Sequence, residues 1–272
     1  MCSINGFTWK DAALIRKMNA TTAHRGPDGT GIFTAPDISL GHNRLAIIDL
    51  SPAGAQPMKS CDGRFAVSFN GEIYNYHELR REIGSDYPFS SATDTEVILA
   101  AYEKWGEQAF ARLNGMFALA LWDAREQTLR LVRDGVGIKP LYYYAGGGRL
   151  IFASELKAIL EHPSVPRRID SLALDLYLRV NYAPAPLTLF SGIKKLLPGH
   201  MLVWKDGAFS IKPFADKEKM PFSRQSFFEL KTKLRERVRE SVAAQLVSER
   251  PVGLYLSGGI DSSAVLEGMA RA

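Results

Sequence analysis

The sequence predicts an α+β fold, a four-layer αββα sandwich of two packed sheets with helices outside each. Two observations carry this reading. Apolar runs at residues 45–48, 115–122 and 150–153 read as strands covered on both faces. Helical patterns fall between the strand runs, so each sheet has helices available for its outer face. Past residue 213 the character changes, and a second, incomplete unit begins.

Composition narrows the class. The 272 residues are 46% hydrophobic, enough for a substantial core. The net charge of +5 comes from 34 basic and 29 acidic residues that are interspersed, which argues against nucleic-acid and membrane binding. The longest basic region, residues 231–239, is broken by Glu236 and reads as a solvated helix face. No apolar run approaches the roughly 18 residues of a membrane span, and a signal peptide is not recognisable, so a cytoplasmic protein is expected. Two cysteines are too few for a disulfide framework, and Cys61 sits in a turn signal and receives no role.

Residues 2–9 read as a strand that starts on Met1-Cys2-Ser3. A small second residue permits removal of Met1, which would give Cys2 both a thiol and a free α-amine. With ordinary pKa values of about 8.5 and about 7.7–8.0, the amine is basic enough to accept the thiol proton. That pair suits attack on a carbonyl, although the two residues alone read better as the start of a strand. Residues 10–20 follow as a short helix with Ala13, Leu14 and Met18 on one side.

The stretch His24-Arg25-Gly26-Pro27-Asp28-Gly29 is an irregular loop whose Arg and Asp either brace it or contact a ligand. Arg44 immediately precedes the apolar run 45–48. A guanidinium entering a core calls for an anionic partner, a protein carboxylate or a ligand carboxylate. In residues 65–73, Phe65, Val67 and Phe69 alternate with Ala66, Ser68 and Asn70. Asn70 therefore projects opposite the large apolar set, and Gly71 leaves its N–H unobstructed. The pair is suited to a developing oxyanion or to a strand-ending turn. The helical pattern of residues 76–83 follows directly, which disfavours a hairpin.

Thr93-Asp94-Thr95-Glu96 reads as a capping box opening a helix, with Asp94 either favouring the helix dipole or free to bind an ammonium group. Residues 142–144 and 149–153 read as a hairpin across Gly146-Gly147-Gly148. Residues 184–198 read as a loop leading to a last hairpin at 201–205 and 208–212, and residues 213–224 as a linker. Phe227, Leu230, Leu234, Val238, Val242 and Leu246 then mark one stripe of a long helix. A short apolar strand at 251–256 and the loop Ser257-Gly258-Gly259-Ile260-Asp261-Ser262-Ser263 enter a final helical pattern at 264–272. Strand, glycine-rich loop and helix start make a cradle for pyrophosphate, without the Gly-Lys-Ser/Thr of Walker nucleotide hydrolases.

Taken in order, Met1-Cys2-Ser3-Ile4, His24 to Gly29, Arg44-Leu45-Ala46-Ile47-Ile48-Asp49, Gly54-Ala55-Gln56-Pro57, Asn70-Gly71-Glu72-Ile73-Tyr74-Asn75, Thr93 to Glu96, Gly137-Ile138-Lys139-Pro140-Leu141-Tyr142-Tyr143 and Ser257 to Ser263 closely resemble the N-terminal part of glutamine-hydrolysing asparagine synthetases of the bacterial B type, class II glutamine amidotransferases. The resemblance implies an N-terminal nucleophile hydrolase domain over residues 1–212, a linker at 213–224 and the start of an α/β ATP pyrophosphatase domain at 225–272. It implies Cys2 as nucleophile with its amine as base, and Asn70 with the Gly71 N–H as oxyanion donors. Arg44 would grip the glutamine α-carboxylate, Glu72 and Asp94 its α-amine, and the main chain at Leu45 and Ile47 would line the pocket. Leu256, Ser257, Gly258, Gly259, Asp261 and Ser262 would bind ATP. Neither a metal nor a cofactor is implied for the glutaminase domain; ATP, Mg and aspartate are implied for a complete synthetase, with a homodimer by analogy. The residues also leave open an amidotransferase of the same layout acting on a sugar-acid or peptide acceptor, a non-catalytic glutamine-binding module, or an ATPase. Gly135 departs from the family's usual arginine.

Overall fold

A computed structural model describes residues 1–215 and 225–272. The chain divides into two units, Met1–Ala215 and Asp216–Ala272. The first carries β1 (Ser3–Phe7), α1 (Ala12–Thr21), β2 (Gly29–Ala35), β3 (Ile38–Arg44), β4 (Met58–Lys59), β5 (Phe65–Ile73), α2 (Tyr76–Ile83), α3 (Asp94–Trp105), α4 (Ala109–Arg112), β6 (Gly115–Asp123), β7 (Thr128–Arg133), β8 (Tyr142–Gly146), β9 (Arg149–Ala153), α5 (Leu156–Ile159), α6 (Ser171–Val180), β10 (Ile193–Lys195), β11 (His200–Lys205) and β12 (Ala208–Pro213). The strands form two six-stranded sheets, ordered β10-β8-β9-β1-β3-β2 and β12-β11-β7-β6-β5-β4. Their pairings are antiparallel.

The inner faces of the sheets meet through Ile4, Leu40, Ala118, Trp122, Leu131 and Phe152, all buried. Outside the first sheet, α1 buries Leu14, Ile15 and Met18 against Phe7, Ile151 and Ile159. This helix starts at Asp11, whose carboxylate accepts from the N–H groups of Ala13 and Leu14 at 3.0 and 2.9 Å. Outside the second sheet lies α3, with Tyr102 edge-on to Phe65 of β5. The predicted αββα order of layers is the one found.

Three expectations are corrected, and one helix is added. Residues 45–48 are not a doubly covered strand: β3 ends at Arg44, and its buried residues include the polar Ser39, His42 and Asn43. Those side chains have partners across the fold, so burial does not follow the apolar run. The capping box is only half formed, since Thr93 Oγ1 accepts from the Thr95 N–H at 3.2 Å while Glu96 turns back to Ser90 and Ser91. Helix α6 carries apolar residues, but Leu172, Tyr177 and Leu178 of it are exposed, and nothing in the sequence had marked it. Residues 251–256 form no strand; Tyr255 and Leu256 are exposed, and the described residues of this unit provide no neighbouring strand to pair with. Of the linker expected at 213–224, residues 216–224 lie outside the described residues.

The second unit contains α7 (Phe227–Ala244) and α8 (Ile260–Met269). Ser226 and Glu229 form a full capping box at the start of α7. Gly268 lets α8 approach Val242 closely: a Cβ there would be 3.1 Å from the valine. An ion pair between Arg239 and Glu267 also joins the two helices. Among the described residues no helix is long and apolar enough to cross a membrane.

Candidate active site

Cys2 is presented by a strand whose register is fixed by polar contacts. Strand β1 lies between β9 and β3. Beside Cys2, Ser3 Oγ donates to Thr22 Oγ1 at 3.0 Å and accepts from Asn43 Nδ2 at 3.0 Å. Asn5 Nδ2 donates to Asn19 Oδ1 and Thr22 Oγ1 at 3.0 and 2.9 Å. The Cys2 carbonyl accepts from Arg25 Nε at 3.0 Å, and Arg25 is itself paired with Glu155 at 3.1 Å.

The sulfur is bracketed by one residue's main chain. The Leu45 N–H donates to Cys2 Sγ at 3.3 Å, and the thiol faces the Leu45 carbonyl at 3.5 Å. Asp28 holds that segment, donating its N–H to the Arg44 carbonyl at 2.9 Å and accepting from the Ala46 N–H at 2.8 Å. Arg25 and Asp28 thus brace the site through different partners and not as a pair with each other. Burial pushes the Cys2 thiol up, while the Leu45 N–H and the N-terminal charge pull it back. Burial lowers the N-terminal amine, with Arg25 and Lys139 adding to the effect.

Asn70 is 1% exposed, and its Nδ2 has no hydrogen-bond partner among the described residues. An unpaired amide this deep is costly, so the position calls for an acceptor that arrives from outside the chain. Gly71 faces Phe117 in the ladder to β6. A Cβ there would collide with the Met116 carbonyl and come 2.7 Å from Phe117 Cα, so close approach of β6 requires the glycine. Phe117 commits its own N–H and C=O to Asp134. Gly71 is therefore opposite Phe117 in a non-hydrogen-bonded pair, which leaves its N–H off that ladder.

Two carboxylates follow. Asp94, 4% exposed, accepts from the Ile73 N–H at 2.9 Å, and burial holds its carboxyl up at about 6. Glu72 is half-buried and is likewise pushed up by burial, with Lys139 and the N-terminus opposing. The two carboxylates disfavour each other's charge, an arrangement that an ammonium group would relieve. The hydrogen-bond partners of the Arg44 side chain among the described residues are main-chain carbonyls, Nη1 donating to Ser51 O at 2.8 Å and Nη2 to Asp49 O, and its charge also acts on the Asp49 carboxylate. Ile47 lies two residues past Leu45, half-buried.

Lys139 is a member that residue patterns missed. It is 4% exposed, and its charge interacts with Glu72 and Cys2. The available signal was a lysine set between Ile138 and Pro140, where a solvated side chain is not the only choice.

In the second unit, Ser257 Oγ and Ser262 Oγ are 3.0 Å apart, Gly258 has φ +81°, and Gly259 caps α8 without a side-chain hydrogen bond. The helix begins at Ile260, earlier than residue 264 as expected, so Asp261 and Ser262 lie in its first turn. The first N–H groups of α8 are thus left for an external acceptor. Leu256 to Ser262 are exposed or half-buried.

Comparisons with known proteins identify the family. The family model described as "Glutamine amidotransferase domain" matches residues 1–215, and that described as "Asparagine synthase" matches residues 233–272. Asparagine synthetase [glutamine-hydrolyzing] 3 of Bacillus subtilis is 35% identical over 97% of this chain and 44% of the relative. Asparagine synthetase [glutamine-hydrolyzing] 1 of the same organism is 38% identical over 93% and 40%, and Amidase chyE of Penicillium rubens 37% over 89% and 36%. The chain thus spans less than half the length of each. Among solved structures, glutamine phosphoribosylpyrophosphate amidotransferase from B. subtilis aligns with a TM-score of 0.58 at 17% identity, over 100% of this chain and 64% of that one, a likeness of fold. With the first 215 residues matched as one domain, the chain belongs to the glutamine amidotransferase domain family.

Proposed function

We propose that this chain hydrolyses glutamine at Cys2 once Met1 has been removed. The single observation that carries the reading is the buried Asn70 Nδ2, which has no hydrogen-bond partner among the described residues and suits an incoming oxyanion. The Cys2 α-amine takes the thiol proton, and the sulfur attacks the glutamine carboxamide carbon. Asn70 Nδ2 and the Gly71 N–H receive the oxyanion that forms there, each such donor being worth roughly 10²–10³ in rate. The amine returns its proton to the leaving nitrogen, ammonia departs, and a thioester remains on Cys2. Water, deprotonated by the same amine, then releases glutamate and restores the thiol.

Glutamine is held by its backbone charges. The Glu72 and Asp94 carboxylates suit its α-ammonium. Arg44 has two of its five N–H donors on carbonyls, which leaves donors for the α-carboxylate. Leu45 and Ile47 line the pocket with main chain.

Residues 1–212 are assigned as the glutaminase domain, 213–224 as a linker and 225–272 as the start of an ATP pyrophosphatase domain. Leu256, Ser257, Gly258, Gly259, Asp261 and Ser262 would hold the phosphates of ATP with its Mg; the uncapped N-terminus of α8 supports that fit. In a complete synthetase the ammonia would amidate aspartate activated by ATP, and the relatives' names support aspartate as acceptor.

The test is glutamate release by the purified chain and by Cys2→Ala, with intact mass recording loss of Met1. Hydrolysis retained in Cys2→Ala overturns the assignment.

A further inference from the structure

A buried cation stands in the site without an ion pair among the described residues. The turn that presents it is built by Arg133 and Asp134 at the end of β7. Asp134 Oδ1 accepts from the N–H groups of Val136, Gly137 and Ile138 at 3.1, 2.6 and 2.9 Å. Its Oδ2 accepts from Lys139 and Phe117 at 3.0 and 3.2 Å. Arg133 donates to the carbonyls of Gly137, Lys139 and Leu196 at 2.8, 2.8 and 2.7 Å. Nearly every main-chain group of the turn is therefore fixed, and the Lys139 side chain is directed inward.

Its Nζ makes one hydrogen-bond contact, with Met1 Sδ at 3.4 Å. Among the described residues no carboxylate forms an ion pair with it. A thioether is a weak acceptor, and Glu72 acts on the ammonium without forming an ion pair with it, so burying Lys139 is costly. The charges around Cys2 come from several elements. Arg25 is compensated by Glu155. Asp28 receives the Ala46 N–H, while Asp94, Glu72 and Asp134 contribute negative charge. Removal of Met1 would strip Lys139 of its thioether contact and leave it facing Cys2.

We propose that Lys139 is a positioning residue for the nucleophile: its ammonium, fixed by the Arg133–Asp134 turn, stabilises the Cys2 thiolate and disfavours protonation of the adjacent α-amine. This rests on the glutaminase reading given above. Both partners of the proton transfer then reach their working forms against the opposing field of Asp94 and Glu72. The direction of the field agrees with this: the Lys139 charge lowers the Cys2 thiol and, with Met1 in place, the Met1 amine.

The experiment follows kcat/KM for glutamate release against pH in the wild type, Lys139→Gln, Lys139→Met and Lys139→Arg. In parallel, iodoacetamide alkylation of Cys2 is followed against pH by mass spectrometry, in a Cys61→Ser background. The expected result is a rise of about one pH unit in the acidic limb and in the alkylation midpoint for the Gln and Met variants, with Arg close to wild type. Methionine removes the charge at similar volume, so it keeps the test available if the glutamine variant does not fold. Unchanged midpoints in a folded Gln or Met variant overturn the proposal. Alkylation reads the thiol without turnover, so loss of the glutaminase reading, seen as hydrolysis retained in Cys2→Ala, is distinguishable from failure at Lys139.

Discussion

His42 on β3 donates its Nε2 proton across the sandwich to the Phe69 carbonyl on β5, at 3.0 Å. The bond ties the sheet that carries Cys2 to the residue immediately before Asn70. A carbonyl only accepts, so the proton must sit on Nε2, and Nδ1 is buried without a hydrogen-bond partner among the described residues. Burial pushes this imidazole down to about 4.

That depression has a definite sign. Between pH 6.5 and about 4 the unfolded chain binds a proton that the folded chain refuses, so stability falls as the pH drops through this window. The full effect is about 3 kcal/mol below pH 4. His42→Gln keeps a donor for Phe69 and removes the titration. Urea unfolding at pH 7 and pH 4.5 should show a smaller difference for the variant; an equal difference would contradict the assignment.

Asp94 behaves in the opposite sense. Its folded value of about 6 lies above the ordinary 3.8, so its favourable contribution is complete below pH 3.8 and disappears as the pH rises through 6. Asp94→Asn should therefore stabilise the chain at pH 8 by about 1–3 kcal/mol. The same variant should raise KM for glutamine, because the ammonium loses a carboxylate. In the wild type, KM should rise as the pH falls below about 6, and that trend should be absent in Asp94→Asn.

Asn70→Ala tests the orphaned amide. Removing an unpaired buried group costs little stability, so thermal unfolding should change by less than about 1 kcal/mol. Glutamate release should fall by roughly 10²–10³. Loss of fold with unchanged specific activity in the remaining soluble protein would refute it.

Gly71→Ala tests packing in its place. The added methyl meets main-chain atoms of Met116 and Phe117, which cannot turn aside as a side chain can. A loss of roughly 1–3 kcal/mol is expected, read as a lower unfolding midpoint.

Strand β5 was legible to the residue because its large apolar side chains alternate and both bounds are marked. Helix α2 was equally clear. Strand β3 was not, since Ser39, His42 and Asn43 are buried by partners up to 40 positions away, as in Asn43 to Ser3. Local periodicity carries no trace of such partners. Glu96 shows a related limit: its spacing fits a capping box, but Ser90 and Ser91 compete for it from the preceding turn. In the site, Cys2, Asn70 and Asp94 could be singled out by chemistry, whereas Lys139 depends on how Asp134 folds a turn. Residues 251–256 have strand composition but no adjacent strand among the described residues.

The contacts of Ser3 and Asn5 with Asn19, Thr22 and Asn43 have one more implication. A strand held by greasy side chains alone can slide two places and keep the same faces inside. Here such a slide would abandon several buried donors at once, so the chain end cannot drift. A terminus that would ordinarily fray is anchored one peptide from the Cys2 sulfur, and the proposed nucleophile acquires the stillness of the sheet's interior.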